Sequence, residues 1–133
     1  MASNVHASSA YRNAALDAGN ALVNGGKFRI YDSTQPTNGD TALGAQVLLA
    51  DLALNATAFQ NASSGGATGN SVTADSAADA TGTATWCALL TSGNARRVDG
   101  SVGTSGADCN LNTTSIVVNA NVSLSSLTIS IAA

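Results

Sequence analysis

His6 is the single histidine of this 133-residue chain, and histidine is the one side chain whose ordinary pKa lies near neutrality. It stands in a short polar stretch at the start, where a solvated side chain is expected. A Ser-His-Asp relay would have to use it, and no G-x-S-x-G elbow is there to present a nucleophile. Asp75 and Asp79 come closest to a pair of carboxylates for acid and base work. Asp readily bonds its own backbone in turns, so both read as turn and capping residues. They also lack the D-x-[DN]-x-[DN]-G spacing of a calcium loop. Cys87 and Cys109, 22 positions apart, fit neither a CxxC pair nor a zinc quartet. Two buried thiols are expected of them in a reducing compartment, with a disulfide as the alternative. Gly100, Gly103 and Gly106, like Gly65, Gly66 and Gly69, are not followed by Lys-Ser/Thr, so they read as tight turns rather than a phosphate cradle. The expectation is a chain with no catalytic residue, no metal site and no cofactor.

Composition narrows the class further. Ala, Ser, Thr, Gly and Asn make up well over half of the residues, and all eight acids are Asp, against one lysine, Lys27. Helix-surface formers are therefore scarce while strand and turn formers abound. With 44% hydrophobic residues and a net charge of −3, the chain does not have the low hydrophobicity and high charge of disorder. Arg12, Lys27, Arg29, Arg96 and Arg97 are scattered and form no stripe that would neutralise several phosphates, so direct nucleic-acid binding is not expected. Neither a leader pattern nor a long apolar run stands in the sequence, and the expectation is a soluble protein made in a cytoplasm, with no membrane partner.

One domain, 1–133, accommodates the pattern. An arm at 1–7 precedes a helix over 8–24, in which Tyr11, Ala15, Ala18 and Leu22 recur at helical spacing and are expected to face the core. Ser8 or Ser9 would cap its start and Gly25-Gly26 its end. From 27 to 131 the period changes to two. Strands are expected at Lys27–Asp32, at Val47–Leu54 with Leu48, Ala50, Leu52 and Leu54 on one face, and near Asn70–Ala74 within a long loop. Others fall at Ala84–Leu90, Arg97–Gly103, Cys109–Leu111, Ile116–Val118 and Val122–Ile131. Trp86 should seal the core. Ser92-Gly93-Asn94 signals a hairpin. In the last strand the apolar phase switches at Ser125-Ser126, which implies a bulge or a change of sheet. The fold class expected is mainly β: an antiparallel two-sheet sandwich or jelly roll of about eight short strands with one N-terminal helix.

Several stretches stand out beyond composition: Arg12 to Ala18, Arg29-Ile30-Tyr31 running into Thr34-Gln35-Pro36, and Asp40-Thr41-Ala42. Ser76 to Trp86, Asp99 to Asp108 and Leu111 to Ile116 continue the series. In this order they resemble a family of small virion structural proteins of tailed bacteriophages, among which capsid decoration or cement proteins are found. The resemblance spans about Arg12 to Ile131. It implies a non-enzymatic protein on the outer surface of the phage head that binds and stabilises the assembled shell, with the major capsid protein and further copies of itself as partners. A tail, baseplate or fibre component is the alternative. The arm residues Ala2, Ser3, Asn4, Val5 and His6 are the candidate protein contacts, as a segment that orders on docking.

Overall fold

The computed structural model describes residues 4–131. One helix, α1 (Ser9–Ala21), precedes nine strands: β1 (Lys27–Tyr31), β2 (Leu48–Ala53), β3 (Gly66–Thr68), β4 (Gly82–Thr83), β5 (Trp86–Leu90), β6 (Arg96–Gly103), β7 (Cys109–Leu111), β8 (Ser115–Ile116) and β9 (Leu124–Ser130). The chain is mainly β with one N-terminal helix, in a sandwich-like arrangement.

Seven strands form one sheet in the order β2-β1-β5-β6-β7-β9-β3, and β4 with β8 forms a separate ribbon. All pairs are antiparallel except β6 with β7, where Val102 lies beside Cys109 and Gly103 beside Asn110 in parallel register. A hairpin cannot join parallel neighbours. The Gly103–Asp108 turn nevertheless makes this connection, because the parallel pairing involves only those two residue pairs. Isolated bridges Ala53–Thr73 and Asp75–Val122 tie the long 55–81 segment to other parts of the chain, and Phe59–Gly69 pairs the segment with itself.

The ends of α1 follow their local chemistry. Ser8 Oγ accepts from the Tyr11 amide at 3.2 Å, and Gly25 takes the left-handed φ of 64° that stops the helix. The buried face is not the expected one. Tyr11 is 70% exposed and Leu22 57%, Ala15 and Ala18 are exposed with them, and it is Leu16 and Asn20 that turn inward. That inward face lies nearly half a turn away from the apolar stripe. Polar side chains decide the orientation. Asn13 Oδ1 accepts from the Gly65 amide, Asp17 Oδ1 from Ala62 and Asn24 Oδ1 from Ala58, each at 2.8 Å. These bonds fasten the 55–66 loop to the helix and satisfy backbone groups that no strand would pair.

Two apolar layers sit on opposite faces of the sheet. The main core contains Val23, Phe28, Ile30, Leu49, Ala50, Leu52, Cys87, Leu89, Cys109, Leu111, Ile116, Val122 and Leu127. A smaller cluster of Tyr31, Trp86, Ala88 and Leu90 lies on the outer face with Leu48 against it. Trp86 is fully buried, as expected, but in this second layer. A bulge at Leu49, where the register steps from Ile30–Ala50 to Tyr31–Leu48, sends Leu49 and Ala50 to the main core and Leu48 to the outer cluster. The single face expected for Leu48, Ala50, Leu52 and Leu54 is thereby divided.

Other expectations resolve in the same way. The phase switch at Ser125-Ser126 is a bulge: Asn110 pairs with Ser126 and Leu111 with Leu124, leaving Ser125 unpaired. The same strand then moves from β7 to β3 as its neighbour. The short strand expected near Asn70–Ala74 lies instead at Gly66–Thr68, and Thr73 makes only an isolated bridge. Val117 and Val118 are exposed beyond the end of β8. Gly100 and Gly103 are strand residues of β6 rather than turn residues; of that trio only Gly106, with φ 71°, occupies a turn.

Candidate functional site

Among the described residues the histidine and the carboxylates form no group of three. His6 is exposed, its Nε2 3.3 Å from Asn4 Oδ1. Asp75 uses both oxygens on the backbone, accepting from the Asp51 amide at 2.9 Å and the Ala77 amide at 3.0 Å. Asp108 likewise accepts from the Ser101 amide and hydroxyl, both at 2.9 Å. Asp32 accepts from Val47 at 2.7 Å. Such carboxylates hold loops and strand ends in place, the turn and capping role expected of Asp75. Among the described residues no three His, Cys, Asp or Glu side chains gather as metal ligands, and no helix is long and apolar enough to cross a membrane.

Beneath the 33–47 loop lies a charged layer invisible in the sequence pattern. The loop packs over the outer cluster; Gln46 donating to the Thr34 carbonyl at 2.7 Å closes it on itself, and it is fastened by Thr85 donating to Ser33 at 2.6 Å, Trp86 Nε1 to Asp32 at 3.0 Å and Arg96 to Thr41. The Arg96 guanidinium sits 5.9 Å from the Trp86 ring centroid, and its Nη1 is 3.4 Å from Asp99. Among the described residues neither oxygen of Asp99 accepts a hydrogen bond. Burial raises the Asp99 pKa above its ordinary value, while the Arg96 charge pulls it back in part. An acid with a raised folded pKa binds its proton more tightly when folded, so stability falls as pH rises from about 4, the unfolded value, through the folded pKa. We expect Asp99→Asn to match the wild type in acid, to gain on it as pH rises through that window and to hold a constant advantage above it, as read by thermal melting across pH. A constant difference at every pH would refute this.

Cys87 and Cys109 are both buried and unbonded, in line with the expectation of two buried thiols. Their sulfurs lie 2.8 Å apart. The hydrogen bond to Cys109, then burial, raise the Cys87 pKa well above the ordinary thiol value.

What remains as a site is a surface. The apolar stripe of α1 faces outward and borders a groove between the helix and the sheet, lined by Ala15, Leu16, Leu22, Val98, Ile129 and Ile131. Of the arm residues named as contacts, Asn4, Val5 and His6 are exposed, Val5 at 85%; Ala2 and Ser3 lie outside the described residues. The helical spacing that groups Tyr11, Ala15, Ala18 and Leu22 on one face marks this surface as well, but the face meets solvent rather than the core.

Comparison with protein-family models, with curated proteins and with solved structures returned no match.

Proposed function

We propose that this chain is a non-enzymatic capsid decoration (cement) protein of a tailed bacteriophage, which binds the assembled head shell through the outward face of α1 and the arm before it. The observation that carries the reading is the orientation of the helix. A surface helix of a globular protein turns its apolar stripe to the core, whereas here Tyr11, Ala15, Ala18 and Leu22 face solvent while polar side chains anchor the opposite face. Exposed apolar strips with polar rims are a hallmark of protein contact sites. The family resemblance supplies the partner, the major capsid protein, with other copies of the chain as neighbours. Repetition of the contact by shell symmetry multiplies a modest affinity.

The test mixes purified protein with bare expanded capsids and measures bound copies and the melting temperature of the shell. Binding that saturates at a simple ratio to the shell subunit, with a more heat-resistant shell, is the expected result. The double variant Tyr11→Asp, Leu22→Asp should bind at least about a hundredfold more weakly, because two apolar side chains lose their burial. Its own melting temperature should stay close to that of the parent, because both positions are exposed. Absence of binding by the parent protein, or labelling of tails rather than heads, rejects the cement role and favours a tail component.

A further inference from the structure

We propose that Cys87 and Cys109 form an intramolecular disulfide when the protein meets a low-molecular-weight disulfide, tying β5 to β7 across β6. This inference is independent of the shell-binding role.

The two cysteines belong to strands that are not neighbours. Cys87 is the second residue of β5 and pairs with Gly100 on β6; Cys109 opens β7, beside Val102 of β6 and opposite Leu127 of β9. A side chain on the intervening strand would ordinarily fill the space between them. Gly100 has none, and a Cβ built there would lie 3.5 Å from Cys87 Sγ and 3.3 Å from Asp108 Cβ. Over this gap the sulfurs approach to 2.8 Å, with both residues almost fully buried. A cavity of about 230 Å³ lined by both cysteines, Gly100, Asp108, Leu127 and Ile129 adjoins the pair, leaving room for the side-chain adjustment that brings sulfurs to bonding distance, about 2.0 Å.

The chemistry is thiol–disulfide exchange. With oxidised glutathione, one cysteine thiolate attacks a glutathione sulfur, the glutathione S–S bond breaks, and one glutathione leaves as thiolate. The second cysteine then attacks the protein-side sulfur of the mixed disulfide and expels the other glutathione. Two protein thiols are oxidised, one glutathione disulfide is reduced to two thiols, and the two cysteine protons pass to the departing thiolates. In the closed sheet both thiols are buried out of reach of the tripeptide, so the first exchange requires β7 to open. Only two register pairs join β7 to β6, which makes that junction the natural place to open. In a reducing cytoplasm the thiols stay free; an oxidising medium closes the bond.

The experiment incubates the full chain with oxidised glutathione a few degrees below its melting temperature, then counts thiols in denaturant, measures intact mass and maps the linked peptides. We expect no free thiol, a mass lower by two hydrogens, a Cys87–Cys109 peptide, and a melting temperature raised by roughly 10 °C, as closing a loop of this length implies. The Cys109→Ser variant should show no such rise. Two titratable thiols surviving the treatment, a glutathione adduct as the end product, cross-linked dimers, or oxidation that leaves the melting temperature unchanged or lowers it would each overturn the proposal. The thiol count and mass are read on the unsubstituted chain, so the outcome does not depend on the variant folding.

Discussion

Replacing Trp86 by alanine is expected to destabilise the protein by about 3–5 kcal/mol, a large share of the total stability of a domain this size. The indole is completely buried, stacked on Tyr31 with ring centroids 4.5 Å apart and planes 13° from parallel, and covered by Arg96. Its Nε1 donates to the Asp32 carbonyl at 3.0 Å. Alanine would leave a large cavity, a half-buried carbonyl without its donor, and a 33–47 loop with one anchor fewer. Chemical denaturation monitored by circular dichroism measures the loss. A cost below about 1.5 kcal/mol would show that the loop collapses into the space and that the outer cluster is dispensable. Emission typical of water-exposed indole from the intact protein would contradict the burial itself.

A second large effect is expected at Gly26. The helix ends and β1 begins here, with the Gly26 amide donating to Val23 at 3.0 Å and its carbonyl accepting from Leu54 at 3.0 Å. A Cβ at this position would overlap the carbonyl oxygen of Leu90 and stand 2.9 Å from that of Val23. Both are backbone atoms, one of them on the interior strand β5, so no side chain can swing aside. Gly26→Ala should therefore cost about 3 kcal/mol or more. Gly25→Ala next to it should cost only about 1 kcal/mol, because there the added methyl meets open space and only the positive φ is strained. Denaturation midpoints of the two variants give the comparison. Equal or reversed effects would mean that the helix–strand junction shifts freely and that the close approach to Leu90 is not a constraint.

The sequence by itself determined the mainly β fold class and much of the local structure. A Ser before a helical repeat and a Gly pair after it set the ends of α1. Alternation placed Phe28 and Ile30 in the core, the Ser92-Gly93-Asn94 signal made the β5–β6 hairpin, and the phase slip at Ser125-Ser126 became a bulge. These are signals between residues close in the chain, where capping, turn geometry and the two-residue period act directly. The scarcity of titratable groups was also readable, since it needs only a count.

Tertiary structure decided which face each element shows. Helical spacing reveals that Tyr11, Ala15, Ala18 and Leu22 share a face. It carries no information on whether that face meets the core, and here the bonds from Asn13, Asp17 and Asn24 to a loop more than thirty residues away turned it outward. Trp86 was legible as buried but not as part of a second layer, because the loop that covers it has no periodicity. The parallel β6–β7 pair and the meeting of Cys87 with Cys109 were equally hidden. The direction in which β7 leaves the Gly103–Asp108 turn and the approach of β5 to β7 across β6 are both settled by the packing of the whole sheet, with Gly100 leaving the gap in which the two sulfurs meet.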